Sequence, residues 1–164
     1  MEFPSVLVTD TNIWIDLQNG GILEKLFLLP FHFIAPDFAI TEYSTVDWKE
    51  LDKLGVEFCE IAPEEIQKIV FLKSMHPGLS VVDLSALLLA EERKAVLITG
   101  DKNLRILAVE RKNNCHGVLW ILDILVAHQI INGKTAASAM AAMIQKGARL
   151  PEKDCNQRLE NWQK

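Results

Sequence analysis

The sequence predicts an open α/β fold in which helices join parallel strands and a helical segment follows at the C-terminus. Short apolar runs of strand length alternate with longer amphipathic runs, a pattern typical of strand–helix–strand units. The first run, residues 5–9, is apolar without alternation, as expected for a strand that is buried on both faces of a sheet. From about residue 122 onward the pattern is helical throughout.

The order of the elements follows from these runs. We expect five strands, at residues 5–9, 31–35, 56–61, 95–99 and 117–120. Helices are predicted between them, at residues 12–18, 38–48, 64–75, 81–94 and 104–112. In the C-terminal part, helices are expected to stop at Gly133, Gly147 and Pro151, because glycine and proline interrupt helices. No repeat or linker divides the chain, so we expect one domain over 1–164 with a core at about 5–126 and a helical tail at about 127–164.

Composition narrows the class of protein. Of the 164 residues, 49% are hydrophobic and 24% are charged, which excludes disordered, collagen-like and coiled-coil chains. The three cysteines are never spaced as CxxC, which excludes a disulfide framework and a cysteine zinc site and indicates a reducing compartment. The apolar stretch 117–131 is interrupted by Asp123 and His128 and is too short to span a bilayer. We therefore expect a cytoplasmic protein with no membrane segment and no secretory signal.

Two acidic residues follow predicted strands. Asp10 comes directly after the first strand, and Asp101 comes shortly after the strand that ends at Thr99. In open α/β sheets, ligands bind at the carboxyl ends of the strands. The sequence therefore indicates a ligand site that contains these two carboxylates.

Two further acids lie where solvent-facing residues are not expected. Glu42 shares one face of the predicted helix 38–48 with Ala39 and Val46, and an acid within an apolar stripe is costly to bury unless a cation or donor meets it. Asp83 opens a helix that is otherwise nearly all apolar. Each carboxylate is therefore expected to point at a partner.

Each acid also has a purely structural interpretation. Asp10 and Asp101 suit the N-cap position of the helix that follows, and Asp83 stands three residues after Ser80, the spacing of a capping box. Glu42 could lie at the rim of a narrower apolar stripe. Capping alone does not explain why four acids accompany two strand ends and two flanking helices. Four converging carboxylates repel one another unless divalent cations join them, and oxygen ligands favour Mg²⁺ or Mn²⁺.

Four segments, VTDTNIWIDL, the helical Glu42, LSVVDLSALLLA and LITGDKNLR, resemble the PIN-domain nucleases over about residues 5–126. The resemblance implies a three-layer α/β/α fold with a central, mostly parallel sheet of about five strands and a C-terminal helical extension. It also implies an acidic quartet that binds Mg²⁺ or Mn²⁺ and cleaves single-stranded RNA. Carried over by position, the catalytic and metal-binding residues are Asp10, Glu42, Asp83 and Asp101.

The same resemblance assigns supporting residues. Asn12 and Thr99 match polar positions that hold the ligands in place. Many relatives carry a further acid just after the last one, whereas this chain has Lys102 and Asn103 there, so the number of metal ions, one or two, stays open.

Charge patterning indicates where RNA binds. Acidic residues exceed Lys and Arg by five, against the usual basic surplus of nucleic-acid-binding proteins, but four of the acids are assigned to the site. The segment 93–112 carries six basic and two acidic residues. Within it we expect Lys102 and Arg105 to contact RNA phosphates.

Other functions stay open at this point. The chain could be a catalytically weak RNA-binding protein that acts in a complex, or the toxin of a toxin–antitoxin pair whose antitoxin covers the acidic site. Its mean hydropathy of +0.14 favours a covered apolar surface, and a homodimer is expected. A haloacid-dehalogenase-like phosphatase needs a second acid two residues after the first, where this chain has Asn12. No function is assigned to the adjacent Cys115 and His116.

Overall fold

The computed structural model describes residues 5–37 and 46–164 of the chain. Its centre is a five-stranded sheet in the order β3-β2-β1-β4-β5, in which every neighbouring pair is parallel. The strands are β1 (Val6–Thr9), β2 (His32–Pro36), β3 (Glu57–Cys59), β4 (Val96–Ile98) and β5 (Cys115–His116). The predicted parallel α/β sheet of about five strands is confirmed.

Helices connect the strands and follow the last one. Within the described ranges they are α1 (Thr11–Asn19), α2 (Leu23–Leu26), α3 (Trp48–Leu54), α4 (Pro63–Met75), α5 (Val81–Arg93), α6 (Lys102–Glu110), α7 (Val118–Ala127), α8 (Gly133–Gln145) and α9 (Glu152–Trp162). They cover both faces of the sheet, so that successive strand residues face two different hydrophobic cores. Leu7 of β1 faces the core formed with α1, α7 and α8, whereas Val8 faces the core formed with α4, α5 and α6. The fold therefore has three layers, as expected.

The helix α5 is the most enclosed of the described helices. Eight of its 13 residues are buried, and it contacts β1, β2 and β4. A helix that is apolar on most of its circumference must be covered on most sides, and here the sheet and the neighbouring helices α4 and α6 cover it. Its first turn is thereby fixed against the sheet, close to the carboxyl end of β1.

Three predicted features are wrong in detail. The fifth strand is Cys115–His116, and the predicted strand 117–120 instead opens the helix α7. This part of the chain is continuously apolar, and periodicity alone does not separate a buried strand from a buried helix in such a run. Gly133 and Pro151 stand at the starts of α8 and α9 rather than at helix ends. The predicted stop at Gly147 is confirmed, since α8 ends at Gln145 and Gly147 adopts a φ of +107°.

The segment between β2 and β3 also differs from expectation. Most of the predicted helix 38–48, including Ala39 and Glu42, lies outside the described residues. Val46 and Asp47 are not helical, and α3 begins at Trp48, where the Asp47 carboxylate accepts a hydrogen bond from the Glu50 N–H. The sequence analysis missed α3, as well as the single-turn α2, because neither has a long apolar period.

The C-terminal helices belong to the same core as the sheet. The helix α8 contacts α1 and α7, and its buried residues are Ala136, Ala139, Met140 and Met143. The helix α9 is tied to α7 by Asp123, whose carboxylate accepts hydrogen bonds from Arg158 at 2.9 Å and from the Trp162 indole at 3.2 Å. These helices complete one of the two outer layers.

No helix in the described ranges is long and apolar enough to cross a membrane.

Gly133 provides a test of the contact between α8 and α9. A methyl group at this position would lie 2.1 Å from the backbone oxygen of Trp162, closer than real atoms approach, so the end of α9 would have to move. We expect Gly133→Ala to lower the free energy of unfolding by about 1–3 kcal/mol, the usual cost of overpacking, as measured by urea denaturation. Gly78→Ala is the matched control, because Gly78 has open space around it. Equal stability of the two variants would contradict this contact.

Candidate active site

The two strand ends that carry acidic residues are direct neighbours in the sheet. β1 pairs with β4, although they are far apart in sequence, and the Asp10 N–H extends the pairing by donating to the Ile98 carbonyl at 2.9 Å. The connections that follow these two strands run in opposite directions across the sheet, since β2 and β3 lie beyond β1 on one side and β5 lies beyond β4 on the other. Such a switch point opens a crevice at the carboxyl ends of the strands.

Thr99 joins the residues on the two sides of this crevice. It is fully buried. Its hydroxyl donates a hydrogen bond to Asp10 Oδ2 at 2.8 Å and accepts one from the Asp101 backbone N–H at 3.1 Å. One buried side chain thereby fixes the Asp10 carboxylate and the turn that carries Asp101.

Asp10 is the most unusual of the predicted site residues. Its side chain is only 5% exposed, and burial and the nearby Asp83 carboxylate raise its pKa to about 6. The Thr99 hydroxyl and the backbone N–H groups of Thr11 and Asn12 oppose this increase only in part. Asp10 occupies the N-cap position of α1, and the Thr99 hydroxyl at the end of β4 also holds its carboxylate, which a helix cap alone does not require.

Asp83 caps the helix α5 and also lies near Asp10. It forms the capping box of α5, in which Asp83 Oδ2 accepts from the Ser80 N–H at 2.9 Å and the Ser80 hydroxyl accepts from the Asp83 N–H at 3.0 Å. Its charge is also near enough to Asp10 to raise the pKa of that residue. The cap holds the Asp83 carboxylate at the start of α5, near the crevice.

Asp101 caps the helix α6. Its Oδ1 accepts a hydrogen bond from the Leu104 N–H at 3.0 Å, and the residue is half-buried. The link through Thr99 places Asp101 on the same edge as Asp10. Capping engages one carboxylate oxygen and leaves the other for a ligand.

The predicted quartet is therefore represented by three residues, since Glu42 lies outside the described residues. Within 5–37 and 46–164, no group of three His, Cys, Asp or Glu side chains is assembled as metal ligands. The donor chemistry nevertheless fits a hard divalent cation, because Asp10 is a buried carboxylate beside a second carboxylate. No cationic side chain contributes to its pKa. Carboxylate oxygens are the ligands that Mg²⁺ and Mn²⁺ prefer.

Three further predicted residues surround these acids. Asn12 is exposed in the first turn of α1, and Lys102 is exposed at the start of α6. Arg105 lies one turn further along α6, and its Nη2 donates to the Thr99 carbonyl at 3.1 Å. Thr99 thus contacts a cationic residue through its backbone and an acidic residue through its side chain.

The strand β5 supplies residues that the sequence analysis did not assign to the site. The Thr99 N–H donates to the His116 carbonyl at 2.9 Å, and the His116 ring stacks on Trp120 with 4.3 Å between ring centroids and an interplanar angle of 3°. Burial and the Arg105 charge lower the pKa of His116, which favours the neutral ring. The wrong assignment of 117–120 as a strand concealed this pair, because Gly117 and Trp120 were placed in the sheet.

The fold and the site define an open parallel α/β protein with a carboxylate centre at its switch point. A family model described as a PIN domain matches residues 6–164, and the chain belongs to that family. PIN domains are generally nucleases and typically use divalent metal ions. The match extends through α8 and α9, beyond the 5–126 region that the sequence motifs cover. Comparison with curated proteins gives no match.

The pKa of Asp10 predicts how stability depends on pH without metal. The folded protein keeps this proton up to about pH 6, whereas the unfolded chain releases it near 3.8, so stability falls as the pH rises between these values. We expect Asp10→Asn to be about 2–3 kcal/mol more stable than wild type at pH 7.5 in EDTA, at about 1.4 kcal/mol per pKa unit. The difference disappears below about pH 4.

Urea denaturation across this pH range measures the effect. Asp52→Asn is the matched control, because Asp52 is exposed on α3, and it should show no such pH-dependent gain. If Asp10→Asn and wild type had the same stability at every pH, Asp10 would not carry the buried charge described above.

Proposed function

We propose that this chain is a metal-dependent endoribonuclease that hydrolyses phosphodiester bonds of single-stranded RNA. The observation that carries the proposal is the buried Asp10 carboxylate, fixed by Thr99 at the switch point of the sheet beside a second carboxylate. An arrangement that concentrates negative charge, and in which no cationic side chain of the described residues contributes to the pKa of Asp10, is suited to a bound cation. Membership of the PIN-domain family supports the same function and favours it over the phosphatase alternative.

In this proposal Asp10, Glu42, Asp83 and Asp101 hold Mg²⁺ or Mn²⁺. A divalent ion bound there supplies an activated water and stabilises the charge that develops on the leaving oxygen. Hydrolysis by water leaves a 5′-phosphate and a 3′-hydroxyl, in contrast to cleavage by the RNA's own 2′-hydroxyl.

The protein's own residues position the reacting groups. Thr99 prevents the Asp10 carboxylate from turning away, since its hydroxyl is itself fixed by the Asp101 N–H. The free oxygens of Asp83 and Asp101 lie on half-buried side chains, and one of these two residues would also orient the attacking water.

Lys102 and Arg105 are proposed to bind the RNA backbone. Both lie on the first turns of α6, directly after Asp101, so phosphates bound by them lie next to the carboxylates. Arg111, further along the same basic segment, is already paired with Glu91 through two hydrogen bonds. Arg111 is therefore not included among the proposed RNA contacts.

The proposal also includes a second copy of this chain. Large apolar side chains are exposed on the neighbouring helices α4 and α6, namely Ile66, Val70, Phe71, Met75, Ile106 and Val109. Exposed apolar patches of this kind commonly mark interfaces, and we propose a homodimer formed there. A toxin role, with an antitoxin segment over the acidic site, is a further proposal that requires metal-dependent cleavage to be established first.

The alternative function is that of a protein that binds RNA without cutting it. Metal-dependent cleavage separates the two functions.

The decisive experiment mixes the purified protein with total cellular RNA in Mn²⁺ and in EDTA and maps the new RNA ends. We expect cleavage with 5′-phosphates in Mn²⁺ only. Asp10→Asn, Asp83→Asn and Asp101→Asn should each lose about 100-fold or more in rate, the scale seen when a key electrostatic group is removed from an active site. Asp52→Asn should retain the wild-type rate. Cleavage that persists in EDTA and in Asp10→Asn would overturn the proposal, and an absence of cleavage would favour the binding-only function.

Thr99 offers a finer test of how the ligands are held. Thr99→Val keeps the shape of the side chain but removes the hydroxyl that binds Asp10 and Asp101. We expect a loss of about 10- to 100-fold in Mn²⁺ affinity or cleavage rate, as is usual when a group that orients a metal ligand is removed. Calorimetric Mn²⁺ titration and cleavage rates measure the two effects. Thr99→Ser retains the hydroxyl and should stay near wild type, and equal losses in both variants would show that packing, not the hydrogen bonds, matters.

A further inference from the structure

The rings of His116 and Trp120 form a parallel stack, with 4.3 Å between ring centroids. The rings of Trp14, Phe27 and Phe33 contact one another within the core behind β1 and β2. The His116–Trp120 pair instead lies where β5 passes into α7, and both residues are half-buried. The pair therefore keeps part of its aromatic surface open to solvent.

Backbone contacts place this pair beside the acidic residues. The His116 carbonyl accepts from the Thr99 N–H at 2.9 Å, and Thr99 binds Asp10 through its hydroxyl. Cys115, next to His116, also lies within reach of the Asp10 charge: burial raises the pKa of its thiol most, and Asp10 raises it further. The residues that carry the aromatic rings and the carboxylates thus lie at the carboxyl ends of neighbouring strands.

Arg105 lies beside the ring pair. Its Nη2 binds the Thr99 carbonyl at 3.1 Å, and a methyl group on Gly117 would lie 3.0 Å from the same nitrogen. A side chain at Gly117 would therefore press on the guanidinium. The Arg105 charge also lowers the pKa of His116, so the guanidinium is near the His116 ring.

We propose that His116 and Trp120 form a stacking platform for a base of single-stranded RNA next to the phosphate that is cleaved. This inference rests on the proposed function, which supplies the RNA and the cleaved phosphate. Proteins bind single strands by combining basic groups that follow the phosphates with aromatic side chains on which bases stack, and Arg105 beside the ring pair offers that combination. A base adds a third ring to the stack while its phosphate is directed past Arg105 toward Asp10.

The test compares RNA with and without bases. Binding of a fluorescein-labelled single-stranded RNA of about eight nucleotides is measured by anisotropy in EDTA, where the proposed reaction does not proceed, beside an abasic oligonucleotide of equal length and charge. We expect Trp120→Leu to weaken binding of the RNA by about 5- to 150-fold, the range for one lost base stack, and to leave binding of the abasic strand unchanged. Trp120→Phe keeps a ring and should stay within a few fold of wild type.

Trp162→Leu is the matched control, since Trp162 is also half-buried but lies on α9, where it binds Asp123. Circular dichroism and urea denaturation check that each variant is folded. If Trp120→Leu does not fold, His116→Phe is used in its place, because this variant keeps an aromatic ring at the other position of the stack. Its expected result is retained preference for the RNA over the abasic strand. Equal losses for both strands, no loss in Trp120→Leu, or an equal loss in Trp162→Leu would overturn the platform.

Failure of the platform and failure of the nuclease give different results. If the protein cleaves RNA in Mn²⁺ but Trp120→Leu binds RNA as wild type does, the platform is wrong and the nuclease stands. If base-dependent binding is lost in Trp120→Leu but no cleavage occurs, the platform stands and the catalytic proposal falls.

Discussion

The hydrogen bonds of the Thr99 side chain are the interaction on which the rest of the site depends. A buried hydroxyl must find hydrogen-bond partners. The partners of the Thr99 hydroxyl are the Asp10 carboxylate and the Asp101 N–H, which follow the carboxyl ends of β1 and β4. The backbone of the same residue contacts His116 and Arg105. Thr99 therefore connects the ends of β1 and β5 with the start of α6. A substitution of Thr99 affects all three elements.

The parallel sheet makes that convergence possible, at a cost in electrostatic energy. Placing β1 beside β4 brings Asp10 next to a strand end that is about 90 residues away in sequence. The enclosed helix α5, in one of the two outer layers, adds Asp83. Burial, and after it the nearby Asp83 carboxylate, disfavours the charged form of Asp10 and raises its pKa to about 6. Burying this carboxylate costs stability, and the three-layer core offsets that cost.

Much of this arrangement follows from local signals in the sequence. The strand–helix alternation is sufficient to predict the parallel sheet, and the Ser80–Asp83 spacing is sufficient to predict the capping box that the structure contains. The hydrogen bond between Thr99 and Asp10 was not predictable, because the two residues are close in space but distant in sequence. The role of His116 was hidden for a related reason: a two-residue strand followed by an apolar helix gives the same pattern as one longer strand. The place of α8 and α9 in the core depends on the fit of small residues such as Ala136 and Ala139, which have no motif.

The two outermost strands of the sheet are very short. β3 has three residues and β5 has two, so each exposes few unpaired backbone N–H and C=O groups. A long flat edge would invite a strand of another molecule to extend the sheet, and these edges give such a strand little to bind. Copies of this chain therefore have poor means of joining edge to edge into a continuous sheet, and an ordered assembly has to be built through side chains on the helical layers instead.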